Sequence, residues 1–503
     1  RPKPRLVRGF LLGAMKLNKL ENLSFGEFDA ESEMQMLSEY FFDNGTLEKI
    51  KTGDKKYFLG RKGSGKTALF LQTKKPKLGQ DIISLDFDDY CWDMHKKIRE
   101  EGVPEESAFT TSWRFTFLIA ACKHWKENAK GKLKKEAEAL YNKIYGSEEV
   151  SLASFLFDKF RRIRRIDLPS IDGFGGGGGV ELDEDHGKAL ASKIKLWSDL
   201  LEDFVNQHYD EHIFTITIDR LDDGWDATKE SKDVLAGVLK AARQLNIKLQ
   251  RNKKPSPIIV FLRSDIYNEL RFNDKNKLGS SQEYLDWTEE DLIKIIEERI
   301  RKTTETTIDN AWDTVFSTKE MRQRAGIKSY ILKRTMLRPR DIIAYCIFCL
   351  DSAQKNKHEK IETDDIYEAE RRYSRHIYDE LDDEMHKQIP DCKDLLQVLR
   401  DIALTRFTKS KWIDSYSKRF VDDTEEEAKE KLKILFDYSI VGVPKKGGKS
   451  RGTKFQFIYH DRLLEPNFDG DMIVHFSLHK ELSLKEPRTA RKAKSKEQVK
   501  SSA

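Results

Sequence analysis

Residues Gly60, Arg61, Lys62, Gly63, Ser64, Gly65, Lys66 and Thr67 fit G-x-x-x-x-G-K-[ST] at every position. Each residue type has a chemical reason. Small residues let backbone N–H groups turn inward around phosphate oxygens, and a helix that starts at the loop adds the positive end of its dipole. Lys66 has the reach to meet β- and γ-phosphates, and the Thr67 hydroxyl is a ligand for Mg²⁺. An apolar strand, Tyr57–Leu59, precedes the loop, and an apolar helix start, Ala68–Leu71, follows it. Both flanks are those a phosphate loop needs. The expectation is a bound nucleotide with its metal.

A metal-bound nucleotide also requires a carboxylate on the ion's shell and a second one to polarise the attacking water. The run Ile213–Ile218 leads into Asp219, with Asp222 and Asp223 close behind. Asp219 is expected on the metal, and Asp222 or Asp223 on the water. The plainer reading is an acidic turn after a core strand. Arg263 follows the next apolar run, Ile258–Leu262, and ligands of α/β sheets bind at strand C-terminal ends. Arg263 therefore has two readings, a γ-phosphate sensor or a local partner of Asp265. No N-K-x-D element is present, because Asn356-Lys357-His358-Glu359 departs at its last position, so ATP is expected rather than GTP.

These residues need a scaffold, and the chain patterns supply one. Runs at Tyr57–Leu59, Ile82–Phe87, Ile213–Ile218 and Ile258–Leu262 are short, apolar and rich in β-branched residues, as buried strands are. Helical patterns fill the intervals, including a charged stretch near 92–208. Strand and helix in alternation predict an α/β fold with a parallel sheet. The aromatic stripe Trp113, Phe115, Phe117 and Trp125 reads as core, and the run Gly173 and Gly175–Gly179 as a hairpin tip or linker. Thr288 and Asp291 form a capping box for a helix repeating Leu292, Ile296 and Ile300. Further on, Leu395, Leu399 and Ile402, then KWIDSYSKRF, then Ala428, Leu432, Leu435 and Phe436 mark three helices. The strands SIVGV and FQFIYH complete a winged-helix pattern.

The predicted organisation is an N-terminal extension over 1–24 and a P-loop ATPase domain over 25–303. A helical lid follows over 304–386, a winged-helix-like domain over 387–482 and a basic disordered tail over 483–503. The 503 residues carry 91 Lys and Arg against 86 Asp and Glu, a net charge of +5. The tail from Lys485 alone nets +5, with DNA contact as its second reading beside disorder, so attraction of the body to nucleic acid must come from local patches. One patch is the predicted wing, with Lys445, Lys446, Lys449, Arg451 and Lys454, weighed against a solvated hairpin used for protein contacts. No apolar run approaches the ~18 residues of a membrane span. The stretch 1–14 is too short in its apolar part for a secretory signal. Five cysteines are too few for a disulfide framework at this length, which fits a reducing, cytoplasmic setting. Cys346 and Cys349 lie in the apolar run IIAYCIFCL and read as core, and His475 and His479 lack a metalloprotease context.

With FLGRKGSGKTAL, ITIDRLDDGW, VFLRSDI followed by LDWTEEDLIKIIEERI, and LRPRDII in order over roughly 25–350, the chain resembles a STAND-type ATPase within the wider AAA+ group. The resemblance implies a nucleotide-switched protein using Lys66, Thr67, Asp219 and the 222–223 pair in the roles above. It implies that Pro339, with Arg338 or Arg340, sits over the nucleotide from the lid. Asp223 stands where the family often has Glu, and no repeat-type sensor domain is visible. Relatives of this kind often act in bacterial defence against phage. The expected function is an ATP-binding and ATP-hydrolysing switch that controls assembly or partner engagement, as a homo-oligomer or with an effector protein. The alternative is an ATP-dependent DNA-binding protein of the initiator or loader type.

Overall fold

In the computed structural model the four anticipated runs become β1 (Tyr57–Gly60), β2 (Asp81–Asp86), β5 (Phe214–Asp219) and β6 (Ile258–Arg263), joined by the short strand β7 (Gln282–Tyr284). The structure describes residues 20–74, 81–86, 105–145, 165–167, 179–181, 186–250, 256–445 and 454–487. The described chain forms two units. One comprises 27–291 with 338–340. The other comprises the described part of 1–26, then 292–337 and everything from 341 onward.

In the first unit the sheet order is β2-β5-β6-β1-β7, and every pair is parallel. β6 lies between β1 and β5, with Gly60 opposite Arg263 in register. The strand after the phosphate loop's own strand in the sheet is thus the one that ends at Arg263. β7 is three residues long, Gln282 and Glu283 with Tyr284, so it carries no apolar run for a sequence reading to find.

The period-2 alternation of strands assigns the core. Tyr57, Leu59, Val260 and Leu262 enter one apolar cluster with Trp113, Phe115, Phe117 and Trp125, all buried. Phe58, Ile259 and Phe261 enter the cluster on the other face with Leu69 and Phe70 of the helix Lys66–Thr73. Phe58 stacks on Phe261 at 5.4 Å between centroids, and Phe70 meets Phe261 edge-on at 6.0 Å. That helix is pinned to the sheet at the same place where it opens from the phosphate loop. Removing such a ring costs about 3–5 kcal/mol, so the loop's footing is a large share of the unit's stability.

The aromatic stripe lies on the helix Glu105–Asn128, which packs with Gly131–Tyr145, His186–His208 and Lys229–Leu249. β3 (Arg165–Asp167) and β4 (Gly179–Glu181) pair antiparallel. Most of the glycine run, 173–178, falls outside the described residues. So do residues 1–19, Lys446, Lys449 and Arg451 of the predicted wing, and the tail from 488.

In the second unit, the part of the helix Pro339–Lys355 from Asp341 onward buries Cys346 and Cys349, and burial pushes both thiols well up from their usual range. On the helix Thr363–Met385, Glu370 accepts from Tyr330 Oη at 2.6 Å and from Arg334 Nε at 2.8 Å. The near-match to a guanine motif has a structural use. Asn356 Nδ2 donates to Asp365 Oδ1 at 2.8 Å, and His358 Nδ1 lies 2.8 Å from Asp365 Oδ2 at that helix's start.

The C-terminal block runs Cys392–Ile402, β8 (Arg406–Phe407), Lys409–Arg419, Glu425–Asp437, β9 (Val441–Pro444), β10 (Phe455–Gln456) and β11 (Met472–Val474). The three anticipated helices bury the anticipated residues. The sheet is larger than the expected hairpin. β11 inserts between β9 and β8, giving the order β10-β9-β11-β8, antiparallel throughout. The run FQFIYH is strand only at Phe455–Gln456 and then turns into a 3₁₀ segment, Ile458–His460. His475 is buried, 2.8 Å from Ser477 Oγ and 3.2 Å from Tyr459 Oη, as a packed hydrogen-bonding ring.

Candidate functional site

The loop between β1 and the helix Lys66–Thr73 turns tightly. Gly65 has φ 92°, the left-handed region where a side chain is strained. At Gly60 a Cβ would stand 2.2 Å from Ser64 Oγ, so the loop closes only over a residue without one.

The orientation of the loop's peptides is fixed by Lys66 and by donors far away in sequence. Lys66 Nζ donates to Gly60 O at 3.1 Å and to Arg61 O at 3.2 Å. Arg338 Nη1 donates to Lys62 O at 3.2 Å, and the Arg340 backbone N–H donates to Gly63 O at 3.3 Å. The indole Nε1 of Trp287 donates to Ser64 O at 2.8 Å. Five consecutive carbonyls, 60 to 64, are thus bonded. A trans peptide points its N–H opposite to its C=O, so bonding the carbonyls on one side sets the directions in which the N–H groups face.

The acidic residues separate by position. Asp219, at the end of β5, is 2% exposed and hydrogen-bonds the Thr67 side chain. Its second oxygen, Oδ2, is buried with no hydrogen-bond partner among the described residues, and neither has Ser64 Oγ. Burial pushes the Asp219 carboxyl up to about 6, opposed by the neighbouring Lys66 charge and by the Thr67 bond. Burial in turn lowers the Lys66 ammonium, opposed by Asp222 and Asp219, with Arg263 adding to the lowering. Asp222 is half-buried, and Asp223 is exposed and ion-paired with Arg220 at 2.8 Å.

Arg263 is buried at the end of β6. Its Nε and Nη2 grip Asp265 at 3.2 and 2.6 Å, and its Nη1 stands 3.6 Å from Asp222 Oδ2. The local-partner reading of Arg263 therefore has its contact, and the same guanidinium also reaches the acid expected to act on water.

Lys66, Thr67, Asp219, Asp222 and Arg263 are brought to one end of the sheet, with Arg338 and Arg340 against the loop. Asp223 turns toward Arg220. A buried carboxylate oxygen without a donor is costly unless a ligand satisfies it. Next to a hydroxyl and behind a phosphate loop, the fitting ligand is a hard cation bridging to phosphate. Among the described residues no group of three or more His, Cys, Asp or Glu could hold a metal by itself. Thr67 and Asp219 could hold Mg²⁺ only with phosphate oxygens and water completing its shell.

Sequence reading quotes Trp287 within LDWTEEDLIKIIEERI but assigns it no role. The signal for a role is position. It lies three residues after the last residue of β7 and just before the capping box of Thr288 and Asp291, where Asp291 N–H donates to Thr288 Oγ1 at 3.1 Å. That is the end of the sheet where ligands bind.

Residues 290–382 match the model of the FunZ-associated C-terminal helical domain. An Escherichia coli K12 protein described as a transposon gamma-delta 80.3 kDa protein is 22% identical over 480 residues. The match covers 90% of this chain and 66% of that one, so the chain spans just under two thirds of its length. Among solved structures, Cdc6p from Pyrobaculum aerophilum is 13% identical with a TM-score of 0.29, covering 82% of this chain and 86% of that one. ORC2 from Aeropyrum pernix, as its ADPNP-ADP complexes, is 12% identical with a TM-score of 0.36, covering 87% and 91%. Among the described residues no helix is long and apolar enough to cross a membrane.

Proposed function

We propose that this chain binds ATP with Mg²⁺ and hydrolyses it as a molecular switch that controls assembly or partner engagement. One observation carries the reading. Asp219 hydrogen-bonds Thr67, lies near Lys66, and keeps a buried oxygen with no partner among the described residues. Bound Mg²⁺ would neutralise phosphate charge. Lys66 would release the Gly60 and Arg61 carbonyls to meet the β- and γ-phosphates. Asp222 would orient water, while Asp223, paired with Arg220, contributes charge at a distance. Arg263 would exchange its contact with Asp222 for the γ-phosphate, so that loss of this phosphate is felt at both residues. Arg338, Pro339 and Arg340 would report loop occupancy at the start of the helix Pro339–Lys355.

The finer form of the proposal is a STAND-type switch in bacterial anti-phage defence, supported by the order of the motifs. Phage challenge of cells expressing the parent or Lys66→Ala tests it. Equal plating efficiency would remove that context and leave the ATPase reading standing.

A second reading, DNA binding of the initiator or loader type, draws on the wing. Lys445 N–H donates to Lys454 O at 2.8 Å, so two of its basic residues flank the segment between them. The helix Glu425–Asp437 argues the other way. Its Lys429 is ion-paired with Glu425 and Glu426, Lys431 with Asp391, and Lys433 with Asp437. ATP turnover measured with and without DNA, beside the mass of the nucleotide-loaded assembly, separates the readings. Turnover lost in Lys66→Ala and indifferent to DNA supports the switch. DNA binding that weakens steeply with salt, and drops when Lys445, Lys446 and Lys449 are neutralised, supports the second.

A further inference from the structure

Trp287 lies in the element LDWTEEDLIKIIEERI but has no role assigned from sequence, yet it makes the shortest of the hydrogen bonds that hold the phosphate-loop carbonyls. Its Nε1 donates to Ser64 O at 2.8 Å, against 3.1–3.3 Å for the donors from Lys66, Arg338 and Arg340. The bond is nearly isolated in sequence terms, since 223 residues separate the partners. The ring also lies along the glycine that follows, where a Cβ on Gly65 would be 3.6 Å from Trp287 Cζ2.

The peptide so held, Ser64–Gly65, precedes a glycine at positive φ and can turn over, as can Lys62–Gly63, whose carbonyl Arg338 holds. Gly65 populates positive and negative φ with similar ease, so little intrinsic preference fixes the plane before it. The two orientations of that plane are chemically opposite. In one, the Gly65 N–H faces the concave side of the loop and can donate to a phosphate oxygen. In the other, a carbonyl oxygen faces that side and repels an anion. The remaining restraint on the peptide has to come from outside the loop. Ser64 cannot provide it, because its hydroxyl oxygen is itself buried without a hydrogen-bond partner among the described residues.

We infer that Trp287 is a positioning residue for triphosphate binding: its indole N–H holds the Ser64 carbonyl outward, so that the Gly65 N–H is presented to a phosphate. The inference rests on the ATP-binding reading and adds to it a residue outside the loop that sets affinity for the phosphate chain. The ring packing and the hydrogen bond are separable. Trp287→Phe retains an aromatic ring beside Gly65 and removes only the donor. Trp287→His retains a ring N–H on a smaller ring.

The test compares parent, Trp287→Phe, Trp287→His and Lys66→Ala for binding of ATP, inorganic tripolyphosphate and adenosine, with melting followed alongside. One neutral hydrogen bond lost from a preset anion site corresponds to roughly tenfold in affinity. Trp287→Phe is expected to melt as the parent does, to bind ATP and tripolyphosphate roughly tenfold more weakly, and to bind adenosine unchanged. Trp287→His is expected to recover part of the loss. In the ¹⁵N-labelled parent, tripolyphosphate is expected to shift one indole N–H resonance that adenosine leaves in place. This readout needs no variant to fold. Parent-like affinity of folded Trp287→Phe for both phosphate ligands would overturn the inference and leave the ATP reading intact. So would the absence of any indole shift in a parent that binds tripolyphosphate. A parent that takes up neither ATP nor tripolyphosphate would overturn both.

Discussion

Polar groups are treated in opposite ways around the phosphate loop and around Glu370. At the loop, Asp219 Oδ2 and Ser64 Oγ are buried without a partner among the described residues, and Lys66 donates to the Gly60 and Arg61 carbonyls of its own loop. Around Glu370, both carboxylate oxygens are satisfied, one by Tyr330 and one by Arg334, and the Arg334 guanidinium lies 3.5 Å from the Tyr330 ring centroid. Tyr373 Oη closes the group by donating to Arg334 O at 2.7 Å. Both sites are buried and charged. The difference teaches where each site spends its polar capacity. A network complete within the chain fixes structure, whereas capacity left over in a buried place is suited to a ligand.

The sharpest attempt to break this contrast is a pair of substitutions with opposite readouts. Lys66→Ala is expected to lower ATP turnover by about 1,000-fold with little change in melting, because it removes a charge directed at the phosphates. Arg334→Met is expected to cost about 3 kcal/mol in denaturant unfolding, since it leaves Glu370 buried and unpaired, with the KM for ATP unchanged. Should Arg334→Met abolish ATP binding without unfolding the protein, the two sites would not differ in the way described.

Next in size is the pH response of Asp219. Its folded-state carboxyl is raised to about 6 by burial, above the 3.8 of an ordinary aspartate. The native state therefore holds the proton more tightly than the unfolded chain does. Without ligand, the contribution of Asp219 to stability is fully present below about 3.8 and is lost as pH rises through about 6. Asp219→Asn is thus expected to raise the melting temperature at pH 7.5, and to raise it less at pH 5. Binding of Mg²⁺·ATP runs the other way, because the cation needs the carboxylate, and affinity is expected to fall as pH drops through about 6. Calorimetric titration at several pH values checks this, and an affinity flat from pH 5 to 8 would count against Asp219 as the metal ligand.

The smallest effect sharpens the contrast from the surface. Lys433 pairs with Asp437 at 2.6 Å on an exposed helix face. Exposed i,i+4 pairs are worth little, so Lys433→Ala should stay within about 0.5 kcal/mol of the parent in stability. It should also leave turnover alone, and any loss of DNA binding in this variant would revive that helix as a nucleic-acid surface.

Much of the sheet was legible in advance, for a local reason. The strands that end at Gly60, Asp219 and Arg263 are buried on both faces, and a doubly buried strand must be written as a continuous apolar run. β7 and β11 were not legible. β7 is three residues at the sheet edge with only Tyr284 packed on the core, and β11 is three residues whose place between β9 and β8 depends on a chain reversal with no pattern of its own. The 3₁₀ turn that cuts short FQFIYH was equally hidden, because aromatic alternation continues through it.

The inventory of chemistry is legible in the chain alone: glycines where the loop must turn, Lys66 and Thr67 at its helical end, and acids or an arginine at the ends of apolar strands. These are choices of residue type at fixed local spacing, and local backbone geometry alone constrains them. The pairings follow from the fold. It set Asp219 against Thr67, turned Asp223 to Arg220, gave Arg263 both Asp265 and Asp222, and brought Trp287, Arg338 and Arg340 to carbonyls over 200 residues away in sequence. Such contacts depend on strand order and on which neighbour reaches a buried group first, and neither is encoded in the spacing of the residues that meet.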